Sequence, residues 1–279
     1  MNTLEVIKIG SKLLKEKKIP THILDSELLL SKTLNKSREE ILVNLDIKVD
    51  QNQISIFQEY LNRRSKNEPI AYILEEKEFW SEKFIVNKDT LIPRPETELL
   101  VNKLIEIFKN KKISILDIGT GSGCIIISLL NNLKQSKGVG IDISKKALIM
   151  AKKNSLKFES KNRVKFFNKS LQNIFDKKFD LIVSNPPYIK KKDLKNLSDD
   201  IKKYEPRIAL DGGNDGLDLI EKIIYKSKEI LKLNGMLALE IGNEQIKRVS
   251  KTLIDNNFRI KHVIKDYKTN IRCILANYR

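Results

Sequence analysis

Cysteine and histidine are scarce: Cys124 and Cys273 are the only thiols, and His22 and His262 the only imidazoles, in 279 residues. Two cysteines exclude a disulfide framework and a multi-thiolate zinc site, and with only two histidines a His/Cys metal cluster is not expected. This usage fits a reducing cytoplasm and metal-free chemistry. Long apolar runs are also missing. The longest ones, such as Cys124 to Ile127 with Leu129 and Leu130 beyond Ser128, fall far short of the roughly 18–20 residues that cross a bilayer. The opening MNTLEVIKIGSKLLKEKK mixes basic residues with short apolar groups and has no small-residue cleavage site, so no signal peptide is expected. Negative charge is the third shortage, with 36 Asp and Glu against 53 Lys and Arg, a formal +17. Scattered lysines make a solvated surface as readily as an anion-binding one, so the charge permits a phosphate-rich partner without defining one.

What remains is a globular composition, 41% hydrophobic and 32% charged, which excludes disorder and collagen-like repeats. The length suits two modest domains or one large one. Residues 1–68 carry apolar positions at helical spacing (Leu4, Ile7, Leu13; Leu28, Leu29; Ile41, Leu42; Ile54, Phe57, Leu61). They are interrupted at Pro20-Thr21, Asn35-Lys36-Ser37 and Asp46 to Asp50, which predicts a bundle of four short helices. Residues 69–90 hold β-prone Ala71-Tyr72-Ile73-Leu74, Phe79-Trp80 and Phe84-Ile85-Val86 around a charged turn at Glu75 to Lys77, and predict a hairpin linker. From residue 91 to 279, strands alternate with helices, as in a parallel sheet covered on both faces. Expected strands are Ile113–Ile118, Gly138–Ile141, Val164–Phe167, Phe179–Val183, Met236–Ile241, Ile260–Ile264 and Ile271–Ala276.

Three segments carry chemistry. The strand ending at Asp117 runs into Gly119-Thr120-Gly121-Ser122-Gly123, where glycines let the backbone pass close to a ligand at a helix N-terminus. A dinucleotide fingerprint needs glycine at 124, and Cys124 stands there. The spacing therefore favours a nucleoside without pyrophosphate, with S-adenosylmethionine leading, and Asp117 is placed to hold its ammonium directly or through water. Asp142 lies 25 residues further on, at the tip of the next strand, where an acid can accept from ribose hydroxyls. The third segment is Asn185-Pro186-Pro187-Tyr188 at the end of a buried strand. Two prolines remove two backbone donors and leave the carbonyls free to accept. A planar NH2 group can then donate to the Asn185 side-chain oxygen and the Pro186 carbonyl, with Tyr188 against its plane. Asn185, Pro186 and Tyr188 are thus the catalytic candidates, and no Ser/His/Asp or Cys/His nucleophile accompanies them.

Together with Glu68-Pro69-Ile70-Ala71-Tyr72-Ile73, Glu78-Phe79-Trp80-Ser81 and Leu91-Ile92-Pro93-Arg94-Pro95-Glu96-Thr97-Glu98, these segments resemble the PrmC/HemK family of release factor glutamine N5-methyltransferases. So do Glu205-Pro206-Arg207, Gly212-Gly213, Asp215-Gly216-Leu217, Glu240-Ile241-Gly242 and Arg272. The resemblance implies an α/β fold: a seven-stranded class I, Rossmann-like methyltransferase domain behind an N-terminal helical bundle that docks the release factor. It implies methylation of the glutamine in the Gly-Gly-Gln loop of class 1 release factors by a monomer, with no membrane and no required nucleic acid. Gly119 to Gly123 (with Thr120, Gly121 and Ser122), Asp117, Asp142, Leu171 and Asn185 would hold the cofactor. Pro186, Pro187 and Tyr188 would form the glutamine pocket with Asn185, and the segment 92–98 would cover the cofactor. Two segments depart from the family. Ser170-Leu171 replaces an Asp followed by an aromatic residue, so adenine would rest on Leu171 packing and backbone groups; Glu75 stands where glycine is frequent. Asn-Pro-Pro-Tyr alone would also admit base-amine methylation of nucleic acid, and Lys-rich 190–195 is a candidate partner surface.

Overall fold

A computed structural model describes residues 1–174 and 177–279. Two compact units emerge: residues 1–76 with 198–204, and residues 77–197 with 205–279. In the first, helices α1 (Thr3–Glu16), α2 (His22–Leu34), α3 (Arg38–Val43) and α4 (Gln51–Ser65) fall where the helical spacing puts them. Three begin with reciprocal capping boxes, Asn2 with Glu5, Ser37 with Glu40 and Asp50 with Gln53, each satisfying two backbone donors that a helix start leaves unpaired. Val6, Leu14, Leu29, Leu30, Ile41, Phe57 and Leu61 form their shared core. His22 is structural here, its Nδ1 2.8 Å from the Ser11 hydroxyl.

One ion pair crosses this bundle out of water. Arg64 Nε donates to Asp25 Oδ2 at 2.7 Å, with side chains 10% and 3% exposed. Asp25→Ala would leave the guanidinium buried without its counter-charge, so it should lower stability by about 3–5 kcal/mol in urea unfolding. A loss under about 1 kcal/mol would mean that water or Glu68 replaces the partner.

The segment after the bundle departs from the expected hairpin. Ile70–Leu74 is a helical turn, α5, burying Ala71, Tyr72 and Ile73, and it ends at Glu75 with φ 62°. Burial overrides the β-propensity of these residues, and the left-handed Glu75 explains why glycine suits that position. The hairpin follows instead, with β1 (Glu76–Phe79) and β2 (Glu82–Ile85). Its turn lies at Trp80 and Ser81, which both have positive φ, as a two-residue hairpin turn of matching twist requires.

The second unit continues with α6 (Pro95–Phe108), β3 (Ser114–Ile118), α7 (Cys124–Asn132), β4 (Lys137–Asp142), α8 (Lys145–Leu156), β5 (Val164–Asn168) and β6 (Phe179–Ser184). After α9 (Asp199–Tyr204), which belongs to the first unit, come α10 (Asp218–Ile230), β7 (Leu231–Glu240), α11 (Ile246–Asp255), β8 (Phe258–Lys265) and β9 (Ile271–Tyr278). The seven strands are ordered β5-β4-β3-β6-β7-β9-β8. Alternate residues feed two cores: Ile115, Leu181, Ala238 and Leu275 pack with α6 and α7, while Leu116, Ile182, Leu237 and Ile274 pack with α10 and α11. The expected parallel sheet is corrected at one strand, because β9, next to the edge strand β8, runs antiparallel to both β7 and β8. Only residues 266–270 join β8 to β9, and a parallel crossover needs a dozen or more.

Because β3 pairs with β4 on one side and β6 on the other, the chain order reverses at β3. In open α/β sheets that point, beyond the carboxyl ends of the strands, is where ligands bind. Asp117, Asp142, Asn185 and Glu240 all stand at or just after those ends.

Candidate active site

A cavity of about 160 Å³ opens at this switch point, and its walls include Gly119, Gly121, Asp142, Leu171, Asn185, Pro186 and Pro187. Gly119 has φ 71°, and a Cβ there would meet nothing within 4 Å, so it would project into open space. The loop is therefore a bare backbone edge facing the cavity. Asp142 Oδ2 accepts from Gly121 N at 2.9 Å and Oδ1 from Ser144 N at 2.8 Å. Burial raises its pKa while those N–H groups oppose the rise. Each carboxylate oxygen keeps a lone pair for a ligand hydroxyl.

The remaining loop residues stand behind the wall. Asp117 is fully buried and accepts from Thr120 Oγ1 at 2.7 Å through Oδ2, while Oδ1 has no hydrogen-bond partner. Burial pushes its pKa up to about 7, against the Thr120 hydroxyl, with the nearby Asp142 charge raising it further. An orphaned carboxylate oxygen under a glycine loop suits a cationic ligand group, so these residues fit S-adenosylmethionine and its ammonium. Ser122 is buried, its carbonyl accepting from Asn154 Nδ2 at 2.9 Å. Gly123 begins α7, and a Cβ there would strike Ile127 at 2.9 Å, so it serves packing. Cys124 is inert, burial pushing its thiol up to about 12.

Asp89, Thr90 and Leu91 also line the cavity, whereas residues 92–98 do not. The segment expected as a cover is instead tied back: Ile92 N and Arg94 Nη2 donate to the buried Glu205 at 3.2 and 2.5 Å. From α6, Thr97 reaches Asn185, whose Nδ2 donates to Thr97 Oγ1 at 3.2 Å. Thr97 in turn donates to Glu240 Oε2 at 2.6 Å, and the Tyr188 hydroxyl donates to Glu240 Oε1 at 3.3 Å. Thr97 and Glu240 stand in the sequence only as members of two segments that carry the family resemblance; their meeting depends on the sheet. Tyr188 is outside the cavity wall, and burial with Glu240 beside it pushes its phenol up.

The Asn-Pro-Pro-Tyr turn is clamped from behind. Gln245 Nε2 donates to the Tyr188 and Gly216 carbonyls at 3.0 and 2.9 Å, and Ile189 N donates to the Leu210 carbonyl at 3.1 Å. Gly216, with φ 81°, admits this approach, since a Cβ there would lie 2.4 Å from the Tyr188 carbonyl. Among the described residues, no group donates to Asn185 Oδ1 or to the Pro186 carbonyl.

Residues 5–74 match the PrmC N-terminal domain family and residues 95–203 the methyltransferase small domain family. Over 276 residues the chain is 39% identical to a release factor glutamine methyltransferase of Fusobacterium nucleatum, covering 98% of this chain and 78% of that one. The chain belongs to the release factor glutamine methyltransferase family. A second member of the family, from Clostridium acetobutylicum, is 38% identical over 267 residues, 94% of each chain. A methyltransferase structure from Pyrococcus furiosus superposes with a TM-score of 0.54 at 18% identity, over 77% of this chain and 98% of that one, and supports the fold of the family. Among the described residues no helix is long and apolar enough to cross a membrane.

Proposed function

We propose that this enzyme transfers the methyl group of S-adenosylmethionine to the side-chain amide nitrogen of the glutamine in the Gly-Gly-Gln loop of class 1 release factors. The observation that carries this reading is the pair of undonated acceptors, Asn185 Oδ1 and the Pro186 carbonyl, on a cavity wall shared with the glycine loop. A primary amide has two N–H donors in one plane and matches two acceptors in one turn. S-adenosylmethionine supplies an electrophilic methyl group on sulfur and leaves as a neutral thioether. Asn185 Oδ1 and the Pro186 carbonyl would orient the nitrogen and stabilise the positive charge that develops on it during transfer, and the proton it then sheds would pass to solvent water. An amide nitrogen is a weak nucleophile, so orientation and this electrostatic preorganisation supply the acceleration.

Asp142, on the cavity wall, holds the methyl donor at its ribose end, and Asp117, whose unpartnered Oδ1 lies behind the glycine loop, draws the ammonium to that loop. Asp142→Ala should raise the dissociation constant for S-adenosylmethionine about tenfold or more, the worth of one to two charge-assisted hydrogen bonds. An unchanged constant by calorimetry would remove Asp142 from the site. Residues 1–68 we assign to docking of the release factor, supported by the match to the family's N-terminal domain and by a cavity lined entirely from the second unit.

The deciding assay uses labelled methyl donor with intact release factor, its Gln→Ala loop variant, a short peptide bearing the loop, and bulk DNA and RNA. Label on the intact factor alone, lost in the variant and weaker on the peptide, supports glutamine methylation with docking. Equal efficiency on the peptide removes the docking role. Label on nucleic acid moves the amine from glutamine to a base.

A further inference from the structure

Glu240 is 1% exposed, and neither of its oxygens faces the cavity wall as a lining group. Both are engaged, Oε2 by the Thr97 hydroxyl at 2.6 Å and Oε1 by the Tyr188 hydroxyl at 3.3 Å. A carboxylate can only accept, so the single proton on Thr97 Oγ1 is committed to Glu240. The lone pairs left on Thr97 Oγ1 then require a donor, which is Asn185 Nδ2 at 3.2 Å. The direction of the amide follows: the amino end of Asn185 is turned to Thr97, and Oδ1 is the end left to accept from a ligand. The residues involved come from α6, the turn after β6 and the end of β7, 88 and 143 positions apart along the chain.

We propose that Glu240 is a positioning residue for methyl transfer, which acts through Thr97 and Tyr188 to fix the amide direction of Asn185 and the ring of Tyr188. The proposal rests on the reading of Asn185 Oδ1 as acceptor for the glutamine amide. Reversal of the chain of hydrogen bonds is what it prevents. A neutral group at position 240 that can donate to Thr97 Oγ1 frees the threonine proton to point at Asn185, which would then present its amino end to a substrate amine and repel it.

Protonation of Glu240 would permit the same reversal. The groups facing it are Thr97 and Glu96 from α6, Tyr188, Arg272 and Cys273 from β9, and Cys124 from α7. Burial is the largest influence and lifts the carboxyl to about 7; the Thr97 and Tyr188 hydroxyls and the Arg272 charge oppose it, and Glu96 adds to it. The wild-type kcat should therefore climb as pH rises through about 7.

The test compares Glu240→Gln, Thr97→Val and Thr97→Ser with wild type, measuring kcat and KM on release factor, methyl-donor affinity by calorimetry, and melting temperature. Glu240→Gln and Thr97→Val should each lower kcat roughly 30- to 100-fold, the scale of a misdirected but present catalytic group, with KM and donor affinity within about threefold. Thr97→Ser, which restores the hydroxyl, should recover at least about tenfold of what valine loses. The double variant should be no worse than the poorer single one, because both act through Asn185. The rise through neutral pH should vanish in Glu240→Gln. In the free enzyme, the hydrogen-bonded side-chain amide proton of Asn185, assigned by its loss in Asn185→Ala, should lose protection from exchange in Thr97→Val. Near-normal kcat in both variants, or serine no better than valine, would overturn the proposal; if Glu240→Gln fails to fold, the valine and serine pair decides. Normal turnover by Asn185→Ala would instead sink the acceptor reading beneath it.

Discussion

Asn185→Ala should reduce methyl transfer by about 10³-fold or more while leaving S-adenosylmethionine affinity within a few fold. Removing one preorganised polar group from a transition-state site typically costs 10²–10³. Here the same side chain also orients the nucleophile, so the two losses compound. The structural cost is small by comparison: a single 3.2 Å hydrogen bond to Thr97 disappears, worth about 1 kcal/mol. Single-turnover kinetics separate the two effects, because chemistry is read directly under saturating donor. Turnover within tenfold of wild type would dismiss Asn185 as the acceptor. A parallel collapse of donor affinity would show that its role is to shape the cavity.

Asp117→Asn should make the ligand-free protein more stable at pH 8 and yet abolish tight binding of the methyl donor. Burial lifts this carboxyl from 3.8 to about 7, above its unfolded value, so the folded state keeps a proton that the unfolded chain has already released. Stability is therefore greatest below about pH 4 as far as this group goes, and is lost as pH rises towards 7, at about 1.4 kcal/mol per unit. Above pH 7 the cost is constant at about 4 kcal/mol. Asparagine removes that penalty but leaves an amide N–H where Oδ1 has no partner, returning about 1–3 kcal/mol of it. A net gain of about 1–3 kcal/mol in urea unfolding at pH 8, absent at pH 4, is expected alongside at least 100-fold weaker donor binding. A variant that is less stable at pH 8 and binds normally would place the ammonium elsewhere. The general sense is that the acid is kept buried at a cost that a bound cation offsets.

Much of this molecule is legible along the chain because its signals are local. Apolar strands ending in Asp117, Asp142 and Asn185 are each written within a few residues, and so are the capping boxes of α1, α3 and α4. Other features depend on tertiary context. Ala71-Tyr72-Ile73 has strand-like residues but is buried as a helical turn, and strand periodicity carries no direction, so the antiparallel run of β9 shows only in the short link after Lys265, which excludes a crossover. Thr97 and Glu240 lay beyond reach for another reason. Each is unremarkable where it stands, and only the fold brings α6 to the end of β7.

The placement of α9 has a consequence for how the chain matures on the ribosome. Residues 198–204 complete the unit begun by residues 1–76, and the Tyr204 hydroxyl donates to the Lys66 carbonyl across 138 positions. At about 5–20 residues per second, roughly 7 to 28 s of synthesis separate the two partners. The last segment of the first unit therefore arrives only after most of the sheet has been translated, although the core it joins lies wholly within residues 6–73 and is complete long before.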